Sequence, residues 1–334
     1  MEIAEHNAIQ GSGVPASGSV EASIVCVNWN SVSYLRECLA SIYHYTRGIR
    51  FEIIVVDNAS PDGGVDDLKE QFPEITVVKS GKNLGFAGAS NLGFRHSSGN
   101  HVLLLNPDTK LVNPAINILL ETMNVLPDAG IVGCKLLNSD LSVQTASVQK
   151  FPTLLNQLTN VEYLRMRWPG CPLWDISPLF RDTTAPVRVE VIPGACMLLR
   201  RDVFEKVGLL TEDYFMYAED IDLNYKLRRA GFSSYYVGAA QIIHHGGTSS
   251  SRQPVSHWSI LMKHRAMLKY YCKIGGSVYG MLYRVVMGAS ALVHLALLAV
   301  VFPFGNKEVV RLKSAKWSTV LRWVVGLDQP TINV

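Results

Sequence analysis

The sequence predicts an α/β domain, a mostly parallel sheet with helices on both faces, followed by an apolar helical region. Three observations predict it. Short apolar runs alternate with stretches of helical period from Ser23 onward, and the residues closing each run are polar, acidic or glycine-rich. Beyond His257 the composition turns helical and then strongly apolar. Strands separated by helices require right-handed crossovers, which give a parallel sheet covered on both faces. Ligands of such sheets bind beyond the carboxyl ends of the strands. The chemistry is therefore sought just after each run.

The run Ser23–Trp29 (SIVCVNW) reads as a buried strand, and Leu35, Cys38, Leu39, Ile42 and Tyr43 recur behind it at helical spacing. Phe51–Val56 (FEIIVV), Ile75–Val78 and His101–Leu105 (HVLLL) are the next three strands. A helix follows near Pro114–Leu126, and Ile131–Cys134 is a fifth strand. Residues 138–187 show no period, carry Trp168, Trp174 and several prolines, and read as an insertion lining an acceptor site or as an ordered loop region. Periodicity resumes at Val189–Arg200 and continues through a charged helix at Glu219–Ala230.

A chain of 334 residues holds one large domain, or one domain with a substantial appendage. The expected division is a flexible Gly/Ser/Ala-rich leader at 1–21, the α/β domain at 22–255 and a helical C-terminal region at 256–334. A net charge of +3 is too small to argue for nucleic acid as a partner. The six cysteines are scattered without a C-x-x-C pair, a pattern of free thiols in a reducing compartment. No basic segment followed by an apolar run opens the chain, so no cleaved signal peptide is expected and the protein reads as cytoplasmic.

Five segments carry candidate chemistry. Asn28 stands near the end of the first run, and Asp57-Asn58-Ala59-Ser60 follows the second. A carboxylate at Asp57 can accept the imide N–H of a uracil or thymine ring; the same spacing also suits an Asx turn. Asn83-Leu84-Gly85-Phe86-Ala87-Gly88 lets backbone approach a ligand at a helix start. It is neither a dinucleotide fingerprint nor a P-loop. Asn106-Pro107-Asp108 follows the fourth strand, where one carboxylate with a diphosphate and water can complete the oxygen shell of Mg²⁺ or Mn²⁺. A capped proline turn gives the same letters.

Glu219-Asp220-Ile221-Asp222 sets three carboxylates in four positions beside Phe215 and Tyr217. Mutual repulsion can raise one pKa and make a base. Acidic residues in a helix's first turn also complement its dipole, by about 0.3–1 kcal/mol each. Last, His244-His245 with Ser249 follows Gln241-Ile242-Ile243, so either imidazole can meet a metal or a phosphate.

In this order, across residues 22–250, the segments resemble family 2 glycosyltransferases, most closely the branch of bacterial rhamnosyltransferases and related cell-surface polysaccharide enzymes. The resemblance implies a GT-A fold and a metal-dependent, inverting transfer of a sugar, with rhamnose from a dTDP donor first. The acceptor it implies is a saccharide or lipid-linked saccharide of cell-wall or surface polysaccharide synthesis. It also implies roles. Asp220 is the general base; Asn28, Asp57, Asn83, Gly85, Phe86 and Asn106 line the donor; Asp108 and His244 hold Mg²⁺ or Mn²⁺. Glu219, Asp222, His245 and Ser249 are secondary candidates. Asn106 stands where the family's D-x-D motif begins with Asp, so metal ligation would rest mainly on Asp108. A UDP-sugar transferase of the same fold, for galactofuranose or a hexose, and a non-catalytic membrane-bound scaffold are the rival readings. A sugar nucleotidyltransferase would carry a G-x-G-x-R loop after the first strand, where this chain has Asn28-Trp29-Asn30-Ser31.

Val285–Phe304 is twenty residues without Asp, Glu, Lys or Arg, with Arg284 before it and Lys307, Arg311, Lys313 and Lys316 after. As a helix it would be ~30 Å long, about the hydrocarbon thickness. Basic residues on both sides fit a helix or hairpin lying in an anionic membrane face better than a simple span. A buried core or dimer helix is the alternative. The implied location is the cytoplasmic face of the inner (plasma) membrane.

Overall fold

A computed structural model describes residues 19–159, 162–181, 185–246, 256–301 and 306–329. Ser249 and residues 302–304 of the apolar run lie outside the described residues, as does the leader up to residue 18. Strands and helices alternate through β1 (Ala22–Asn28), α1 (Val32–Tyr45), β2 (Phe51–Asp57), α2 (Val65–Gln71), β3 (Thr76–Lys79), α3 (Gly85–Arg95) and β4 (His101–Leu105). Then come β5 (Thr109–Leu111), α4 (Ala115–Val125), β6 (Ala129–Leu137), α5 (Leu154–Thr159) and α6 (Glu162–Arg167). The last elements are β7 (Val187–Val189), β8 (Cys196–Arg200), α7 (Arg201–Lys206), α8 (Glu219–Arg229), β9 (Ser233–His244), α9 (His257–Val301) and α10 (Lys307–Val324).

Among the described residues one sheet of nine strands runs β3-β2-β1-β4-β8-β6-β9-β5, with β7 paired to β9. The half β3-β2-β1-β4 is parallel, and β9 is parallel to β6. β8 enters antiparallel between β4 and β6. The apolar runs are continuous because both faces are covered. Ile24, Cys26, Ile53, Val55, Leu103 and Leu105 pack with the core of α1 and α4. Their neighbours Val25, Val27, Ile54, Val56, Val102 and Leu104 pack on the other face with Ala87, Phe94, Leu223 and Leu227. That alternation is the period of two of an extended chain. All six cysteines are free thiols.

Sheet register assembles the site. β5 pairs antiparallel with the end of β9, setting Thr109 opposite His244. The Asn106–Asp108 turn is thereby brought beside a histidine far along the chain.

The C-terminal helices form a layer of their own. Gly276 has φ 73° and ψ −177°, which breaks α9 into segments 257–275 and 277–301. His264 and Tyr283 touch through Nδ1 and the hydroxyl at 2.7 Å. On a straight helix residues so spaced would stand ~28 Å apart, so the chain doubles back at Gly276. α10 packs against both segments: Trp323 meets His264 and Tyr283, and Trp317 stacks on His294 at 3.9 Å. Arg284 donates to the carbonyls of Trp323 and Val324 at the end of α10, as a cation at a helix C-terminus should.

This layer is tied to the sheet domain through Asp222. Its carboxylate is fully buried, meets Lys273 of α9 at 2.6 and 2.8 Å and accepts from the Thr211 hydroxyl at 2.5 Å. Lys273→Met should cost about 1–3 kcal/mol, since it strands a buried charge whose partner is itself part-exposed. Urea denaturation checks this: the midpoint should fall, and Asp222→Asn with Lys273→Met together should cost less than the sum of the two.

Candidate active site

The ends of β1 and β2 are bound together by amides. The Asn28 amide donates to Asp57 at 3.1 Å and to Ser60 at 3.0 Å, and its carbonyl accepts from the Ser31 backbone and hydroxyl. Asn28 is thus engaged in holding the turn on which Asp57 sits. Asn58 is the next link. It donates to Asn83 at 2.9 Å and accepts the Leu84 N–H at 2.8 Å, while Asn83 accepts the Gly85 N–H at 2.9 Å. The start of α3 is fastened to the end of β2 by this chain of bonds.

Gly85 then locks α3 to the segment before α8. It sits at φ +70°, and a Cβ there would lie 2.2 Å from the Phe215 carbonyl oxygen. That oxygen accepts the Phe86 N–H at 2.9 Å. Only glycine permits this approach. Beyond Phe215, Tyr217 and Ala218 both adopt positive φ, 70° and 65°, before α8 begins. Left-handed backbone costs about 1–2 kcal/mol at each such residue, so the entry to α8 is held by its surroundings.

The first turn of α8 sorts its three carboxylates. Asp222 is committed to Lys273 and Thr211. Asp220, part-buried, accepts the Gly194 N–H at 3.1 Å and the Ile221 N–H at 2.7 Å. Burial raises its pKa, partly opposed by those two donors. Glu219 is buried, and burial followed by the Asp220 charge pushes it up to about 8. At neutral pH Glu219 is therefore mainly the neutral acid.

At the other wall, Asp108 Oδ1 and His244 Nε2 stand 3.4 Å apart, both nearly buried. Gln144 fixes the imidazole: its amide oxygen meets His244 Nδ1 at 3.1 Å and its nitrogen donates to the His244 carbonyl. Nδ1 thus carries the proton, and Nε2 is left as an acceptor that takes the Asn106 amide N–H at 3.3 Å. A carboxylate oxygen and an imidazole lone pair meeting across one small space suit a divalent cation. Among the described residues no cluster of three or more His, Cys, Asp or Glu side chains surrounds it. The rest of a shell would come from substrate oxygens and water, as is usual for Mg²⁺. His245 is turned elsewhere: its ring meets the Ser139 hydroxyl at 2.9 Å and Tyr34, and its N–H donates to the Asp108 carbonyl. Ser249 lies outside the described residues.

Residues 23–208 match the sequence profile of glycosyl transferase family 2. The chain belongs to that family. It is 31% identical over 245 residues to the N-acetylglucosaminyl-diphospho-decaprenol L-rhamnosyltransferase of Mycobacterium tuberculosis, covering 70% of this chain and 79% of that protein. It is 28% identical to the rhamnosyltransferase WbbL of Escherichia coli K12, covering 66% of this chain and 82% of WbbL. Among solved structures it resembles a mannosyltransferase of Pyrobaculum calidifontis, bound to GDP-Man and Mn²⁺, with TM-score 0.57 and 15% identity over 96% of this chain and 90% of that one. GalNAc-T7, crystallised with UDP, GalNAc and Mn²⁺, superposes at TM-score 0.57 and 14% identity over 92% of this chain and 56% of its own. The fold is GT-A and the chain is a family 2 glycosyltransferase, as the ordered motifs lead one to expect.

Two residues of the site carried no sequence signal that singled them out: Gln144 lies in the stretch without period, and Gly194 in a turn between β7 and β8. Asn58 and Phe215 stand inside marked segments, but their bonds to Leu84 and Phe86 were not readable from them. A cavity of about 490 Å³ lined by Lys150, Arg188, Asn224 and Arg228 lies towards the N-terminal end of β9, away from Asp108 and His244.

Gln144→Leu should leave the fold intact and weaken Mn²⁺ about 10–100-fold, the usual cost of losing a histidine's supporting partner. Titration of Mn²⁺ in the presence of dTDP, followed by electron paramagnetic resonance, measures it; an unaltered affinity would remove the metal role from His244.

Proposed function

We propose that the chain transfers rhamnose from dTDP-rhamnose, with inversion, to a lipid-linked saccharide of cell-wall or surface polysaccharide synthesis at the cytoplasmic face of the membrane. The observation that carries the reading is that one turn ties two clusters together: Gly194 donates its N–H to Asp220, and the carbonyl of the next residue, Ala195, accepts the N–H of Asn106, beside which Asp108 meets His244. The sugar and the lipid carrier are supported by the names of the mycobacterial and Escherichia coli relatives.

In this reading Asp57 and the Asn58–Asn83–Gly85 chain seat the nucleoside. Asp108 and His244 would hold Mg²⁺ or Mn²⁺, which would offset the charge growing on the departing diphosphate. Asp220 takes the proton of the acceptor hydroxyl as that oxygen attacks the anomeric carbon; the bond to the diphosphate oxygen breaks, and the configuration inverts. Asp220, with its raised pKa, is a better base than an ordinary aspartate. Glu219, neutral beside it, adds no second charge near the incoming hydroxyl. Asn106, in the first position of the metal motif, donates to His244 Nε2 and would have to give up that bond for the same lone pair to ligate the ion.

Residues 22–255 form the transferase unit and 256–334 the anchor. Segment 277–301 exposes Val278, Met281, Leu282, Val285, Leu292, Val293, Leu297 and Val300 along one face. Only 28% of its most apolar window is buried, which supports a helix lying in a membrane face over one in a protein core.

Calorimetry of dTDP and UDP, each with and without Mn²⁺, tests the donor: tighter, metal-dependent dTDP binding is expected. Preference for UDP would replace rhamnose with a UDP-sugar, and binding of neither would sink the donor site.

The two neighbouring acids separate under mutation. Asp220→Asn should lower kcat by about 10²–10⁴-fold with donor affinity kept, the range for a lost general base. Glu219→Gln mimics the protonated acid and should keep kcat at pH 7 within about threefold. A carboxyl raised from 4.5 to about 8 adds stability that is full below 4.5 and lost as pH rises towards 8. Glu219→Gln should accordingly gain thermal stability over wild type across that window. Equal losses of kcat in both variants would show that the pair acts as one unit.

A further inference from the structure

The cavity of about 490 Å³ takes no part in the chemistry above: Asp57, Asp108, Asp220 and His244 do not line it. Its cations arrive from four places. Lys150 comes from the segment between β6 and α5, Arg181 from that between α6 and β7, Arg188 from β7 and Arg228 from α8. Two carboxylates share the walls, and both are engaged. Glu190 meets Lys150 at 3.2 Å and accepts the Phe151 N–H at 2.8 Å, and Asp175 accepts the Ser177 hydroxyl at 2.7 Å.

Three guanidiniums are left over. Among the described residues Arg181, Arg188 and Arg228 form no ion pair. Arg188 stands opposite Tyr235 on the β7–β9 ladder, and the Tyr235 hydroxyl meets both oxygens of the nearby Asp128 at 3.0 Å. Arg228 lies over the Phe151 ring, and Arg181 donates to the Ser177 hydroxyl at 3.3 Å. A guanidinium carries five N–H donors in a planar fork that matches an oxyanion. Here nearly all of those donors are open, at exposed positions that a solute reaches from water.

The walls narrow the ligand further. The volume falls in the ~300–1,000 Å³ range of small-molecule sites, and a lone oxyanion would leave most of it empty. Gln149, Ser177 and Ser233 offer an amide and hydroxyls, while Val187 and Val189 offer apolar surface. That mixture suits a sugar ring, which has hydroxyls at its rim and C–H groups on its faces. The floor is rigid: Asn224, 1% exposed, accepts the Ile192 N–H and the Ser234 hydroxyl, and donates to the carbonyls of Ile192 and Asp220.

We infer that this cavity is a binding site, separate from the donor site, for a sugar bearing a phosphate or carboxylate group, with the oxyanion held by Arg181, Arg188 and Arg228. The inference does not depend on which sugar the chain transfers.

Calorimetry on full-length protein in detergent, without divalent cation, tests it with glucose 1-phosphate, glucuronate, methyl glucoside and inorganic phosphate. At least one of the two acidic sugars should bind ~10-fold or more tighter than methyl glucoside and inorganic phosphate, the worth of one charge-assisted hydrogen bond. The tighter of the two assigns the group as phosphate or carboxylate. Equal binding of inorganic phosphate or of methyl glucoside overturns the site, as does binding of none. Arg188→Gln with Arg228→Gln should weaken the acidic sugar ~10-fold or more, and Arg181→Gln with Arg188→Gln likewise. The unfolding midpoint should hold in at least one of these pairs, and Arg188→Lys with Arg228→Lys should recover part of the loss. Asp108→Asn should bind as wild type does. Binding lost there and kept in the arginine variants would place the probe in the donor site and overturn the inference, with the donor reading intact.

Discussion

The buried ion pair between Asp222 and Lys273 fixes where α8 starts, and much of the site follows from that point. Two residues in left-handed conformation precede the helix, an entry that unsupported backbone would abandon. Asp222 anchors the turn from inside, Phe215 anchors it to Phe86, and the Gly194 N–H holds Asp220 from the facing strand connection. The strain is thus distributed over three contacts from distant parts of the chain. Because Lys273 belongs to α9, the orientation of Asp220, the proposed base, depends on the docking of the C-terminal helices. A domain cut before residue 257 would keep the sheet and lose the support of the turn that carries Asp220.

Asparagine and glutamine do much of the remaining positioning. Asn28, Asn58 and Asn83 pass hydrogen bonds from the end of β1 to the start of α3, and Gln144 and Asn106 set the tautomer of His244. Amides both donate and accept without carrying charge. The proposed site, which would receive a diphosphate and a cation, has its carboxylates at Asp57, Asp108 and Asp220. It uses neutral groups to aim them. Asn106 illustrates the rule: with Asp there, two carboxylates would face one imidazole.

The sequence made the parallel half legible because its strands are buried on both faces and end in polar turns. β1 to β4 lie within a residue or so of the runs that mark them. β8 as an antiparallel insertion was not legible, since a five-residue apolar run has no direction until it is paired. Asp57, Asp108 and His244 could be marked because they close or closely follow a strand, and Asp220 because it stands in an acidic triplet at a helix start. Gln144 and Gly194 could not, because each acts across a gap of more than 20 residues through bonds that leave no pattern. Nor does the acidic triplet announce its division of labour. Asp222 differs from Asp220 only in pointing inward, a consequence of the helix period and of a lysine 51 positions away.

Whether the apolar segment spans or lies flat is decided by its other face. Tyr283, Met287 and Ala291 are buried against α10 and the first segment of α9, and Arg284 caps α10. To cross a bilayer alone the segment would have to give up the His264–Tyr283 bond and the His294–Trp317 stack, leaving aromatic surface without partners. Lying flat keeps all of these and lets the stripe leave water, at about 25 cal/mol per Å² of apolar area. The basic residues on both sides then reach headgroups at once, which spanning would forbid for one flank. In the proposed reading, attachment to the membrane would therefore follow from the same packing that docks the C-terminal helices on α8 through Lys273.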